Sequence, residues 1–202
     1  MKNTKGGLVV QKKEMTRLWI EDKHTPATIV KIVPQEIIRY KNEEKDGYIS
    51  AVIGVEKKET KKEKGKKFDY TTVTEFDVDD GFVQSHEAGK VINQDLLKDV
   101  KTVSVIGYSK GKGYQGAVKR FHLDGGPKTH GSKFHRHVGS MGNRKPRRTL
   151  KGHPHAGHMG DEKITLKNIQ ILDFVDSDKE NLIIVKGSLP GSYNGLLKFV
   201  IE

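Results

Sequence analysis

Seven of the nine histidines fall within residues 122–158. Two clusters, His135-x-His137 and His153-x-His155-x-x-His158, have spacings at which imidazole nitrogens can meet on one metal ion. The chemistry this would serve is metal-dependent hydrolysis, which also needs a carboxylate as ligand or base. Between Lys110 and His158 the chain offers Asp124 alone, with Asp161 and Glu162 just beyond. No metal is therefore expected, since imidazoles beside phosphate serve equally well as donors, stacking planes or extra cations. Gly111, Gly113 and Gly116 satisfy Gly-x-Gly-x-x-Gly after a predicted strand, the fingerprint of dinucleotide binding. That fingerprint requires an amphipathic helix next and an acid about 20 residues on. Here Gly125-Gly126-Pro127 breaks the run, and the basic Arg136 region stands where the acid belongs. Neither a Ser-His-Asp order, a phosphate-loop signature nor a His-Glu-x-x-His motif occurs. The chain is read as a non-enzyme.

The same segment has a strong charge. Net charge is +11, from 37 Lys and Arg against 26 Asp and Glu. Twelve of those bases and one acid lie between Lys110 and His158, so the rest of the chain carries 25 of each sign and is neutral. A neutral body with one cationic insert points to a polyanion partner. Lys110, Lys112, Lys119, Lys128, Lys133, Lys145 and Lys151 are expected to act as point charges on RNA phosphates. Arg120, Arg136, Arg144, Arg147 and Arg148 are expected to make forked contacts. His130, His135, His153, His155 and His158 join them as RNA-contact candidates. Tyr114, Phe121 and Phe134 are spaced among the bases as stacking platforms would be, or as apolar anchors for the segment. Gly111, Gly113, Gly116, Gly125, Gly126, Gly131, Gly139 and Gly142 would let the backbone approach RNA closely.

The elements that position this insert read as strands. Residues 28–33, 36–40, 48–55, 71–78, 101–107, 164–175, 182–186 and 196–201 are rich in Ile, Val, Thr, Tyr and Phe and are separated by Pro, Gly and polar stretches. Residues 176–181 read as a hairpin loop. Many short strands with minor helices suggest an antiparallel barrel or sandwich. The insert, with ten glycines, three prolines and no apolar alternation, cannot bury a core and is expected to be ordered by its partner. The expected division is a body of residues 1–109 and 159–202 and an irregular insert of 110–158. The lysine-rich run 56–67 is expected to be an exposed loop. The absence of cysteine excludes disulfides and thiolate metal sites. With no run of about 18 apolar residues and no signal-peptide core, a soluble, cytoplasmic chain is expected.

These residues carry a family resemblance. Ser109-Lys-Gly-Lys-Gly-Tyr-Gln-Gly-Ala-Val-Lys-Arg120, Gly125-Gly-Pro-Lys-Thr-His-Gly-Ser132, His135-Arg136, Gly139-Ser-Met-Gly142, Lys151-Gly152 and Ala156-Gly-His-Met-Gly160 closely resemble the bacterial large-subunit ribosomal protein L-three family. Asn181-Leu-Ile-Ile-Val-Lys-Gly-Ser-Leu-Pro-Gly191 continues the likeness, and Lys12-Lys13 with Met15-Thr-Arg17 extends it toward the N-terminus. The resemblance implies a mainly β fold: a translation-protein-like antiparallel β-barrel body, with a long, basic, largely irregular extension inserted into it. It implies a structural role in the large ribosomal subunit, binding to 23S rRNA near its 3′ end, action early in assembly, and an extension reaching towards the peptidyl transferase centre. Implied neighbours are proteins of the L-fourteen and L-nineteen families, with no membrane and no small-molecule substrate. No cofactor is implied beyond magnesium that accompanies RNA. Two departures are visible. Glu14 stands where the family usually has glycine, which bears on the first turn. Asn143-Arg144-Lys145-Pro146 stands where some members carry a methylated glutamine, so no such modification is expected. From the residues alone, a free RNA-binding or chaperone module is the alternative, with the metal-dependent hydrolase behind it.

Overall fold

The N-terminal run Gly-Leu-Val-Val opens a strand much longer than its apolar start suggests. In this computed structural model, which describes residues 6–20, 22–59, 68–142, 148, 150–176 and 180–201, β1 runs Gly7–Ile20 and returns through β2, Lys23–Ile32. Then follow β3 (Gln35–Lys41), α1 (Glu43–Asp46), β4 (Ser50–Glu59), β5 (Phe68–Asp77), α2 (Asp80–Ser85), a 3-10 turn (Gln94–Leu97) and β6 (Thr102–Tyr108). After these come β7 (Gly113–Gln115), α3 (Ala117–Phe121), β8 (Gly157–Met159), β9 (Lys163–Asp176), β10 (Asn181–Lys186) and β11 (Leu196–Val200). The chain forms two compact units, one of residues 1–108 and 163–202, the other of residues 109–162.

In the first unit six strands pair antiparallel in the order β1-β11-β6-β9-β10-β2, and β2 pairs back onto β1, so the ring of hydrogen bonding is a closed barrel. Side chains alternate across each strand. Cross-strand partners therefore line one face in sequence: Leu8 opposite Phe199, Phe199 opposite Val105, and Val30 opposite Ile183. All five are fully buried. Each such side chain contributes roughly 1.5–3 kcal/mol by leaving water. Gly107 belongs to this face because a Cβ there would lie 2.3 Å from Leu197 Cδ2.

A three-stranded sheet, β3-β4-β5, shares the same apolar core through Ile37, Ile53, Val55 and Phe76. Its junction with the barrel is made by Gln35. Where β2 has ended, the Gln35 side chain accepts from Val9 N–H (2.8 Å) and donates to Val9 C=O (3.0 Å), taking the place of a strand partner. Buried backbone groups need such partners, and Gln35 is itself buried.

Several expectations are corrected. Residues 15–20 continue β1 instead of following a first turn. Lys13 and Glu14 form a bulge between the pairs Lys12–Val30 and Met15–Thr28, and Glu14 sits there without a left-handed φ. Because no positive φ is required at Glu14, the position does not call for glycine. The expected loop at 56–67 begins later, because β4 runs to Glu59; residues 60–67 lie outside the described residues. The hairpin expected around 176–181 is present, with Asp176 opposite Asn181, though residues 177–179 are not described. Among the described residues no helix is long and apolar enough to cross a membrane.

Candidate nucleic-acid interface

The second unit begins and ends on a two-stranded stem. Ser109 N–H donates to Glu162 C=O (2.9 Å), and Glu162 N–H donates to Ser109 Oγ (3.1 Å). Lys112 N–H donates to Met159 C=O, and β7 pairs with β8 from Gly113–Met159 to Gln115–Gly157. Gly160 makes this possible: its φ is +77°, and a Cβ would lie 2.2 Å from the Lys110 carbonyl. The boundary therefore falls at 109–162, a few residues wider than 110–158, because these backbone bonds carry no apolar signal that sequence patterning could register. Asp161 and Glu162 belong to the stem.

From Gly116 the chain enters α3, with Lys119 and Arg120 in its last turn and His122 closing it in the left-handed conformation. A helix thus does follow the Gly-x-Gly-x-x-Gly run. It is only five residues long, and β7 pairs antiparallel with β8 instead of entering a parallel βαβ unit, so the dinucleotide reading fails on topology. Arg120 is employed internally: Nη1 donates to the His155 carbonyl (3.1 Å), and a Cβ on Gly157 would sit 2.8 Å from it. Its guanidinium also lies over the Phe121 ring, 5.0 Å from the centroid.

Residues 125–137 close a loop on themselves. Gly126 N–H donates to His135 C=O (3.0 Å), the His135 ring meets Pro127 C=O through Nδ1 (2.9 Å), and Ser132 Oγ accepts from Phe134 N–H (3.2 Å). Gly125 and Gly126 face the carbonyls of His135 and Phe134 so closely that a Cβ would stand 2.5 Å and 1.8 Å away. At the tip, His130 and Gly131 both have left-handed φ, and Lys128, His130 and Lys133 are exposed. Phe134 is half-exposed and stacks at a tilt on His137, 4.8 Å between centroids. Glycine therefore plays two parts here. Gly125 and Gly126 permit internal close approach, whereas nothing lies within 4 Å of a Cβ at Gly113, Gly116, Gly131, Gly139 or Gly142; at Gly111 the nearest atom is Asp161 Cβ, 3.9 Å away.

Electrostatically the unit is one-sided, with twelve bases against Asp124, Asp161 and Glu162. Lys110, Lys112, Lys119, Lys128, Lys133, Arg136, Arg148 and Lys151 are exposed, as are His135, His155 and His158. Arg120 and His153 are half-buried; Arg144, Lys145, Arg147 and the Asn143–Pro146 stretch lie outside the described residues. The ion pairs Lys31–Glu180, Lys41–Glu75, Lys57–Glu36 and Lys98–Asp95 all belong to the first unit, and among the described residues no base of the second unit pairs with an acid. Ala117 is the one described residue of the unit that is buried, consistent with an insert that builds no core of its own. Among the described residues no three His, Asp or Glu side chains come together as a metal site; the rings of His153 and His155 stand 6.2 Å apart. Tyr114, 77% exposed, is the least covered aromatic ring of the unit.

The sequence reading did not foresee the roles of Ser109, Gly157 and Gly160, which hold the stem. Their signal was the small side chain alone, legible only once the opposing strand is known.

Comparison with known proteins gives a consistent answer. The model of the family described as "Ribosomal protein L3" matches residues 49–181. The chain is 39% identical over 199 residues to the large ribosomal subunit protein uL3 of Thermotoga petrophila, covering 94% of both chains. It is 38% identical over 203 residues to the uL3 of Desulfitobacterium hafniense, covering 95% of this chain and 93% of the other. The uL3 of Borrelia hermsii is 38% identical over 193 residues, covering 92% and 91%. Identity at this level across nearly the whole length, with a family match over most of it, means that the chain belongs to the ribosomal protein L3 family, whose members are structural components of the ribosome and not enzymes.

Proposed function

We propose that this chain is a structural constituent of the large ribosomal subunit in the cytoplasm, and that its second unit is an rRNA-binding element. The observation that carries the reading is the segregation of charge: a unit with twelve bases and three acids, its described lysines exposed and without acidic partners, set against a body with 25 bases and 23 acids. Such a unit repels itself until phosphates neutralise it. Lys110, Lys112, Lys119, Lys128, Lys133 and Lys151 supply point charges, Arg136 and Arg148 supply forks, and the open glycines Gly113, Gly116, Gly131, Gly139 and Gly142 leave room for phosphate oxygens to approach the backbone. Arg120 acts mainly from within, by fixing α3 against β8.

The finer reading follows the family resemblance: binding to 23S rRNA near its 3′ end, action early in subunit assembly, an extension directed towards the peptidyl transferase centre, and neighbours of the L-fourteen and L-nineteen families. Magnesium associated with the RNA would assist the neutralisation. A sucrose-gradient profile of cell lysate at raised salt, with quantitative mass spectrometry, tests the assignment. One copy per large subunit is expected. A protein absent from that peak, found free or on other RNA, overturns it.

A further inference from the structure

The outer half of the β1–β2 hairpin is an unpartnered ribbon. β11 accompanies β1 only as far as Gln11, and the last bonds on that edge join Lys12 to Gly195 and Asn194. Beyond the bulge, Met15–Ile20 pairs with β2 on one side and, among the described residues, with nothing on the other. In an antiparallel pair every second residue turns its N–H and C=O away from its partner, so this stretch presents a row of free donors and acceptors. One face of the ribbon is also open. The register places Arg17 opposite Pro26 and Trp19 opposite His24, with Met15 on the same side. All five are exposed, and Trp19, the chain's one tryptophan, is 63% exposed with His24 set edge-on to its ring.

We infer that this ribbon docks a strand of a neighbouring large-subunit protein, which extends the hairpin along the Met15–Ile20 edge and covers Met15 and Trp19. The inference rests on the proposed place of the chain in the large subunit. Charge separates a protein occupant from RNA. Over residues 13–28 the cations Lys13, Arg17 and Lys23 are balanced by Glu14, Glu21 and Asp22, so the hairpin has no net field for a polyanion, unlike the second unit. A row of alternating backbone donors and acceptors matches another strand, and no such row exists in RNA. Exposed Trp, Met and Arg are the residue types that dominate protein interfaces. Arg17 selects an acidic side chain on the incoming strand, and Trp19 selects an apolar one.

The test replaces Trp19, and separately Pro26, with p-benzoylphenylalanine in cells, isolates large subunits at raised salt and irradiates them. Both positions are exposed, so neither substitution disturbs the core, and the second keeps Trp19 in place. The expected product at both is a protein adduct to one and the same large-subunit protein, its cross-linked peptide mapping to an extended segment. Adducts to rRNA, to a second copy of this chain, or to nothing would overturn the inference while the chain's presence in the subunit peak still upheld the proposed function. Absence from that peak would overturn both.

Discussion

Phe199 sits at the centre of the barrel with no exposed surface, facing Leu8 on one neighbouring strand and Val105 on the other. Truncation to alanine leaves a cavity that close-packed neighbours only partly fill. We expect Phe199→Ala to cost about 3–5 kcal/mol, read from the urea unfolding midpoint at unchanged slope. Gly126 is a residue of another kind. A methyl there would stand 1.8 Å from the Phe134 carbonyl, so Gly126→Ala must open the loop of residues 125–137. That loop adds nothing to the barrel core. Hydrogen exchange should therefore accelerate at Gly126 while the unfolding midpoint stays put, and a fall in the midpoint comparable to that of Phe199→Ala would contradict the division into two units.

Among elements, the start of β3 is joined to β1 by the Gln35 side chain. Replacing Gln35 by leucine keeps the volume but leaves Val9 N–H and C=O buried without partners. An orphaned buried group costs about 1–3 kcal/mol, so Gln35→Leu should lower stability by at least 2 kcal/mol and expose the Val9 amide to exchange. Across β3, β4 and β5 the half-buried Glu36 and Tyr70 and the exposed Lys57 tie the sheet together. The hydrogen bond to Glu36, then burial, pushes the Tyr70 hydroxyl up to about 12 from its usual 10.0. Glu36 is held below its usual 4.5, first by the Lys57 hydrogen bond and then by Tyr70. The signs follow from linkage. The raised Tyr70 contributes stability that is complete below pH 10 and lost as pH rises through about 12. The lowered Glu36 contributes stability present above its unfolded value and lost as pH falls through its folded one. Both groups are largely solvated, so the gain is small. The difference in tyrosinate absorbance between the protein and its Tyr70→Phe variant should titrate near pH 12, and in a Glu36→Gln background the same difference should move towards 10.

Across the whole molecule, charge and core are segregated. The first unit holds the buried cluster and nearly balanced charge, 25 bases against 23 acids; the second holds twelve bases against three acids and, among its described residues, one buried alanine. Binding to a large-subunit rRNA fragment should therefore be steeply salt-dependent, with each phosphate contact contributing a slope of about 0.7 to 0.9 in log K against log salt. Removing Lys128 and Lys133 together should make that slope shallower by about 1.5. Removing Lys41, which is paired with Glu75 in the first unit, should leave it unchanged. An equal effect from both variants would show that the body shares the contact.

By itself the sequence determined the strands of the body from β2 onward and the location of the cationic segment. Apolar alternation and charge are local properties, readable from residues such as Ile183, Val185 and the run around Arg136. It also determined that the second unit builds no core, because a stretch so rich in glycine and charge has nothing to bury. Tertiary structure alone decided the rest. The closure of the barrel depends on β2 finding β10 as well as β1, a pairing between residues some 150 positions apart that leaves no local trace. The length of β1 depends on a bulge at Lys13 and Glu14, and bulges are set by the partner strand. The stem of the second unit rests on backbone hydrogen bonds and on the missing Cβ atoms of Gly157 and Gly160. Arg120, which charge alone assigns to RNA, is bound to His155 because the fold brings α3 and β8 together. Trp19, whose type suggests a core residue, is left in solvent because the barrel closes before β1 ends.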